Sequence, residues 1–186
     1  MVFSFDMIKT AAGRLDKVVA PTSLLESDRV NEKMQARVLL KPECLQKTGS
    51  FKLRGAYNKI ASLTDAERAA GVVAFSSGNH AQGVAAAAKA LGVRATVIMP
   101  EDAPLIKQRN TREYGAEVIL YDRYTESREE LARITMEESG AILVPPYDDH
   151  EIMAGQGTVG LELAHQLDEI NVVAEHLICP AGGGGL

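Results

Sequence analysis

The stretch that decides the fold is Val72–Pro100, which reads VVAFSSGNHAQGVAAAAKALGVRATVIMP. Its first four residues, Val72–Phe75, and the later run Ala95–Met99 are short and continuously apolar, as in strands that helices cover on both faces. Between them, His80–Leu91 is rich in alanine, the residue with the highest helix propensity. This order of strand, helix and strand predicts a βαβ unit with parallel strands.

The same alternation continues on both sides of this unit. Further strands are predicted near Ala36–Lys41, Glu117–Tyr121, Ile142–Val144 and His176–Cys179. Further helices are predicted near Lys52–Ser62, Leu105–Tyr114, Thr125–Ser139 and Glu151–Leu167. The chain is therefore expected to be an α/β protein whose parallel sheets are covered by helices on both faces.

Composition narrows the classes of partner. The 186 residues are 46% hydrophobic and carry a net charge of −5 without a Lys/Arg-rich run, which argues against binding to nucleic acid or to an anionic membrane surface. The apolar runs are far shorter than the roughly 20 residues that cross a bilayer. Met1–Thr10 lacks the basic start and small-residue cleavage site of a secretory signal. We expect a small-molecule partner, no membrane span and a cytoplasmic location.

Cysteine and histidine, which often bind metals, are few in this sequence. Cys44 and Cys179 form neither a CxxC pair nor a disulfide framework, and lone cysteines of this kind are usually buried as small apolar residues. The four histidines are scattered and show no metal-ligand spacing. We therefore expect two buried cysteines and no metal site.

Lys52 stands at the start of a predicted helix, directly after the turn Thr48-Gly49-Ser50 and Phe51. The positive end of the helix dipole disfavours an ammonium there, and partial burial beside Phe51 acts in the same direction. Both effects would lower the pKa of Lys52 and make its amine a better nucleophile at neutral pH. An ordinary surface lysine in a first helical turn is the alternative.

Two further segments have the chemistry of anion sites. Ser76, Ser77, Gly78, Asn79 and His80 follow a strand and open a helix, where free backbone amides and polar side chains can hold a carboxylate or phosphate. The alternative is a group of residues that only caps the helix. His80 alone is more typical of a structural hydrogen bond than of a catalyst.

The second segment is the run Gly182, Gly183, Gly184 and Gly185, after the last predicted strand. Residues without Cβ let backbone amides converge on a phosphate, although a flexible end is also consistent with the run. The chain ends just where a following helix is expected, which suggests an interrupted unit.

Two nucleotide-binding motifs match the sequence in part, but each lacks a required feature. Gly155, Gly157 and Gly160 fit GxGxxG, but a predicted helix start precedes them where a dinucleotide site needs a strand. These glycines are expected to permit close helix packing instead. Gly78 and Gly83 have the spacing of a phosphate-binding GxxxxGK[ST] loop but lack its lysine.

Taken together, four segments resemble the threonine dehydratase and serine racemase family, which belongs to the tryptophan-synthase-β-like enzymes (fold type II) that use pyridoxal 5′-phosphate. The segments are Thr48–Ala56, Ser76–Gly83, Ala154–Thr158 and Gly182–Leu186, in the family's order. The resemblance implies two subdomains. Residues 64–146 would form a small α/β domain, and residues 1–63 and 147–186 would belong to a large cofactor-binding domain.

The resemblance also implies roles for single residues. Lys52 would hold the cofactor through a Schiff base, Asn79 would bond its phenolic oxygen, and Gly182–Gly185 would hold its phosphate. Ser76, Ser77 and the amides of Gly78, Asn79 and His80 would receive the substrate carboxylate. Ser77 looks like the serine that acts as the second acid/base in the racemases. The amine of Lys52 would remove the Cα proton.

The implied reaction converts threonine or serine into a 2-keto acid and ammonia, with racemisation when Ser77 returns a proton to the opposite face. The family's C-terminal portion is missing from this chain, so the 186 residues alone are expected to be inactive. The whole protein is expected to be a homodimer, as is common in the family.

Two alternatives stay open. A β-replacement enzyme of the cysteine-synthase type shares the fold and the lysine, but usually carries Thr-Ser-Gly-Asn-Thr-Gly where this chain has Ser76–Ala81. A non-catalytic ligand-binding module is the other alternative, supported by the short length.

Overall fold

The computed structural model describes residues 2–186. Its helices are α1 Phe5–Leu15, α2 Asp28–Met34, α3 Lys52–Ser62, α4 Asp65–Ala70, α5 Asn79–Leu91, α6 Leu105–Glu113, α7 Arg128–Ser139 and α8 His150–Glu169. Its strands are β1 Leu25–Glu26, β2 Leu39–Leu40, β3 Val72–Phe75, β4 Ala95–Pro100, β5 Glu117–Tyr121 and β6 Ile142–Leu143. A 3₁₀ turn spans Glu43–Leu45.

The main sheet has four parallel strands in the order β5-β4-β3-β6. Successive side chains alternate between its faces. On one face Val72 and Val97 join the core formed with α3 and α5, and on the other Val73 and Ile98 pack against α7. Helices thus cover both faces, which explains why β3 and β4 are continuously apolar and confirms the predicted α/β class.

Two predicted strands differ from the structure. Only Leu39–Leu40 of the segment Ala36–Lys41 is extended, and it pairs antiparallel with β1, so the smaller sheet is not parallel as predicted. His176–Cys179 is not a strand. A strand needs a neighbour to bond its backbone, but Leu177 and Ile178 are 74% and 91% exposed within the described residues. The prediction of a strand before the glycine run is wrong.

Three helices of the structure, α1, α2 and α4, were not predicted from the sequence. The first buries Ala11 and Leu15, and the other two have seven and six residues and bury none. Short helices give too few turns for an apolar period to stand out. A capping box of Thr64 and Glu67 begins α4, a local signal that could have revealed it. Cys44 and Cys179 are both exposed, so the prediction of buried cysteines is wrong.

Close helix crossings set the position of α3. A Cβ on Gly155 of α8 would lie 2.6 Å from the carbonyl oxygen of Arg54 and from the Cα of Gly55. A Cβ on Gly157 would meet Ile8 of α1 at 2.8 Å. The GxGxxG letters therefore lie inside a helix, and its first two glycines permit tight packing as predicted. Gly160 has open space around it.

Helices long and apolar enough to cross a membrane do not occur among residues 2–186.

The crossing of α3 and α8 generates a prediction for Gly155→Ala. The added methyl group meets main-chain atoms that no side-chain rotation can move away, so the two helices must separate. We expect the free energy of unfolding to fall by about 3 kcal/mol. Gly160→Ala is the matched control on the same helix, where the methyl group meets nothing and higher helix propensity should stabilise the chain by up to about 1 kcal/mol. Urea unfolding of both variants measures the difference; equal effects would contradict the packing account.

Candidate active site

Lys52 is the first residue of α3, and its side chain is half-buried. Its Nζ donates to the carbonyl oxygen of Pro146 at 2.6 Å and lies 5.2 Å from the centre of the Phe51 ring. Burial lowers the pKa of Lys52 below its usual value, since a charged amine loses hydration there. The predicted direction of the shift is confirmed, and its cause is burial.

The start of α3 lies against the start of α5. A Cβ on Gly83 would lie 3.0 Å from the carbonyl carbon of Lys52 and 3.1 Å from the amide nitrogen of Leu53. The first turn of α3 thus lies beside the first turns of α5. Gly83 permits this approach; the sequence analysis noted it in the segment Ser76–Gly83 and in a failed nucleotide motif, without a packing role.

The loop between β3 and α5 leaves its helix without a side-chain cap. Gly78 occupies the N-cap position and makes no side-chain cap bond, while the hydroxyl of Ser76 accepts from the amide of Gly78 at 3.2 Å. The alternative that Ser76, Ser77 and Asn79 merely cap the helix therefore does not fit. The first-turn amides of a 13-residue helix keep their capacity to bind an anion.

His80 holds this loop to the strand beside it. Its Nε2 bonds the carbonyl oxygen of Val144 at 2.8 Å, and the residue is only 3% exposed. Burial, with a further contribution from the charge of Lys52, lowers the pKa of His80 to about 4. The ring is thus a neutral structural donor, as the sequence analysis expected, and its buried Nδ1 has no partner among the described residues.

Asn79 is bound from the side by α6. Its Oδ1 accepts from Nζ of Lys107 at 2.7 Å. With that oxygen occupied, the side-chain NH₂ group is the part of Asn79 that can donate to a ligand. Lys107 was not singled out from the sequence.

The segment Val144–Tyr147 joins the separate parts of the site. It accepts a hydrogen bond from His80 at Val144 and one from Lys52 at Pro146. The glycine run lies on the same segment, since a Cβ on Gly185 would be 3.0 Å from Cβ of Tyr147 and 3.5 Å from the carbonyl oxygen of Pro146. A Cβ on Gly183 would overlap the Tyr147 ring, so both glycines lie close to Tyr147.

The structure therefore brings the lysine and the glycine run to the same segment, Pro146–Tyr147. Gly182 and Gly184 have open space around them, and Gly184 has a φ of +76°, a conformation that favours glycine. A glycine cradle beside a half-buried amine fits a ligand that carries both a carbonyl group and a phosphate. Pyridoxal phosphate has these two groups.

A cavity next to the loop contains both serines. Ser76 and Ser77 line it together with Arg123 and Arg128, at the carboxyl ends of the strands. Arg128 stacks over the Phe75 ring at 5.1 Å and bonds Glu129 at 2.7 Å, and Arg123 pairs with Asp102. Polar loops at this edge of a parallel sheet are where small ligands bind. Arg128 begins α7, and Arg123 lies in the turn before that helix. The sequence analysis assigned no chemistry to either.

Residues that sequence reasoning missed share one property. Pro146, Tyr147, Gly83 and Lys107 act through contacts with distant parts of the chain. The Pro145-Pro146 dipeptide left a local signal, because two residues without an N–H cannot continue the pairing of the strand before them. Groups of three or more His, Cys, Asp or Glu able to hold a metal do not occur in the described chain, and the expected lack of a metal site stays a prediction.

The buried His80 generates a pH prediction. Because its pKa is about 4 in the fold and 6.5 when exposed, the unfolded chain takes up a proton first as the pH falls. Stability is complete above pH 6.5 and is lost as the pH falls toward 4. At pH 5 the loss due to His80 is about 2 kcal/mol.

Denaturant unfolding of the chain at neutral pH and at about pH 5 measures this loss. His80→Gln keeps a donor for the Val144 carbonyl but does not titrate, so its stability should depend less on pH. An unchanged pH dependence in this variant would contradict the assignment.

The chain is 44% identical over 186 residues to L-threo-3-hydroxyaspartate ammonia-lyase of Saccharomyces cerevisiae, covering 100% of this chain and 56% of that protein. It is 48% identical over 185 residues to L-threonine ammonia-lyase of Thermotoga maritima, covering 100% of this chain and 45% of that protein. The chain therefore spans about half the length of these curated relatives.

Solved structures agree. The T.th. threonine deaminase superposes with a TM-score of 0.90 at 47% identity, over 98% of this chain and 57% of that one. Serine racemase of Dictyostelium discoideum gives 0.88 at 40% identity, over 98% and 58%. The predicted resemblance and fold are confirmed. The family described as "Pyridoxal-phosphate dependent enzyme" matches residues 15–186, and the chain belongs to that family.

Proposed function

We propose that the whole protein is an ammonia-lyase that converts threonine or serine into a 2-keto acid and ammonia. The observation that carries the proposal is the half-buried amine of Lys52, bonded to the carbonyl of Pro146, next to Tyr147, against which Gly183 and Gly185 lie. This arrangement, on a chain of the pyridoxal-phosphate family, matches an amine that holds the cofactor beside a cradle for its phosphate.

The residues proposed to hold the cofactor divide by chemistry. Lys52 supplies the amine, the amides of Gly182–Gly185 bind the phosphate, and the NH₂ group of Asn79 donates to the ring oxygen. When bound, pyridoxal phosphate supplies a carbonyl group and an electron-withdrawing ring, which favour reactions at the α-carbon of an amino acid.

Substrate binding is proposed for the loop before α5. Ser76, Ser77 and the amides of Gly78, Asn79 and His80 receive the substrate carboxylate, because this helix start lacks a side-chain cap. The neutral His80 ring keeps the loop in place through Val144. Lys52, with its lowered pKa, is suited to take the proton from the α-carbon at neutral pH.

Ser77 is proposed as the second acid/base on the opposite side of the substrate. Its side chain is exposed and lines the cavity beside the loop, whereas Ser76 bonds the Gly78 amide. A proton returned by Ser77 gives racemisation in place of water loss. Because one similar protein is an L-threo-3-hydroxyaspartate ammonia-lyase, 3-hydroxyaspartate is a further substrate to test.

The organisation of the whole protein is proposed from the resemblance. Residues 64–146, which include the four parallel strands, form the small domain, and residues 1–63 and 147–186 are part of the large one. The protein is proposed to be a cytoplasmic homodimer with a small amino acid as substrate.

The role of Lys52 as the residue that holds the cofactor can be tested directly. In the whole protein loaded with pyridoxal phosphate, borohydride reduction followed by peptide mapping should place the adduct on Lys52. The Lys52→Ala variant should lose this adduct. Its keto-acid formation should fall at least a thousandfold, the order expected for a base and covalent anchor. Lys59→Ala is the control on the same helix, since Lys59 pairs with Asp149 away from the site. An adduct on another residue would overturn the proposal.

The same preparation separates the rival reactions. Keto acid from threonine, serine or 3-hydroxyaspartate supports the ammonia-lyase, whereas sulfide-dependent cysteine formation supports a β-replacement enzyme. The 186-residue chain alone should bind the cofactor weakly or not at all, because Ser77, Asn79 and most of the glycine run are exposed. A stable one-to-one absorbance band that Lys52→Ala removes would contradict this.

A further prediction concerns Ser77→Ala in the whole protein. Racemisation of serine should fall at least a hundredfold, the usual lower contribution of a positioned acid/base, while keto-acid formation persists. Ser76→Ala is the comparison. It removes the acceptor of the Gly78 amide and should raise the KM of both reactions together. Chiral chromatography and a keto-acid assay measure the two products, and equal loss of both in Ser77→Ala would refute the role.

A further inference from the structure

Arg54 is the most deeply buried charged side chain near the candidate site, with 1% of its surface exposed. Its Nε and Nη2 bond both carboxylate oxygens of Glu43 at 2.8 Å. Nη2 also bonds Glu162 at 2.9 Å, and Nη1 bonds the hydroxyl of Thr158 at 3.2 Å. The guanidinium is therefore held by the 3₁₀ turn before α3 and by α8.

The charges of this cluster are balanced. Lys41 bonds the second oxygen of Glu162, and Thr22 donates to Glu43 at 2.8 Å. Arg54 and Lys41 balance the two carboxylates. Burying such a network adds little net stability compared with a well-packed apolar core, because each charge loses its hydration. Its geometry, which a fork of fixed N–H directions imposes, is what apolar residues could not supply.

The cluster lies across the helix from the amine. Residues two positions apart on an α-helix point about 200° away from each other. Lys52 accordingly reaches Pro146 while Arg54 reaches Glu43 and Glu162. Glycine contacts with α5 and α8 set how close α3 lies to its neighbours. Asn58 and Lys59 bond the start of α8 from later in α3, and the Gly55 amide bonds Gln156. In the first turn of α3, Arg54 is the side chain held by several partners. Bonds of this kind oppose rotation about the helix axis, which a glycine contact alone does not.

We propose that Arg54 is a positioning residue for Lys52, whose charge network fixes the rotation of the first turn of α3 and so directs the amine toward Pro146. The inference rests on the proposed function, in which Lys52 holds the cofactor. It assigns to Arg54 no contact with cofactor or substrate.

The test measures the reactivity of the Lys52 amine in the cofactor-free whole protein. Competitive acetylation at a series of pH values, followed by peptide mass spectrometry, gives the reactivity and pKa of this single amine. Arg54→Lys keeps the positive charge but loses the fork. A less fixed first turn exposes the amine to water, so its pKa should rise and its acetylation near neutral pH should fall at least threefold, as a rise of about half a unit requires.

Arg14→Lys is the matched control. Arg14 pairs with Glu151 of α8 at 2.8 Å and bonds Asn58 of α3 at 3.0 Å, so it also joins these helices but at a later turn. It should lower the melting temperature without changing Lys52. If Arg54→Lys also lowers only the melting temperature and leaves the Lys52 titration as in the unaltered protein, the proposal is overturned.

A second variant covers the case in which Arg54→Lys does not fold. Glu162→Gln removes one negative charge and one of the two acceptor oxygens that Arg54 and Lys41 use, and it leaves the paired bonds to Glu43. A smaller change of Lys52 reactivity in the same direction is expected, and no change in a folded Glu162→Gln protein would overturn the proposal. The acetylation result is independent of cofactor binding. Failure of borohydride trapping at Lys52 would refute the proposed function, whereas an unchanged Lys52 titration would refute only the role of Arg54.

Discussion

The close approach of α3 to its two neighbours is the constraint on which the site depends. Gly155 lets the backbone of α8 touch that of α3, and Gly83 lets α5 touch the residue that carries the amine. A side chain at either position would push the first turn of α3 away from the helix it contacts. The reactive group is therefore placed by residues that have no side chain of their own.

The electrostatics of the site depend on burial on one side of α3 and on ion pairs on the other. Burial lowers the pKa of both Lys52 and His80, so an amine and an imidazole that would carry positive charge in water are shifted toward their neutral forms. The histidine uses its neutral form to bond Val144. On the far side of α3 the buried charges are instead paired, with Arg54 between two carboxylates. One helix thus separates a region that disfavours charge from one that neutralises it.

Much of the fold followed from local pattern. The apolar runs of β3 and β4 and the alanine-rich α5 were predicted within a residue or so, because their period and length are strong signals. His176–Cys179 has the same apolar character, yet it is not a strand. A strand depends on hydrogen bonds to a neighbour, and composition cannot report whether a neighbour lies beside it. Helices of six or seven residues were missed for the opposite reason, since their local signal is weak.

The sequence by itself determined the α/β class, the family and the residues with suitable chemistry, namely Lys52, the loop Ser76–His80 and the glycine run. Each of these is a local pattern that neighbouring residues are sufficient to define. Only the tertiary structure decided that Val144–Tyr147 joins them and that Gly83 brings two helix starts together. The physical reason is that such contacts link residues up to about a hundred positions apart, and packing in three dimensions leaves no spacing rule in the chain.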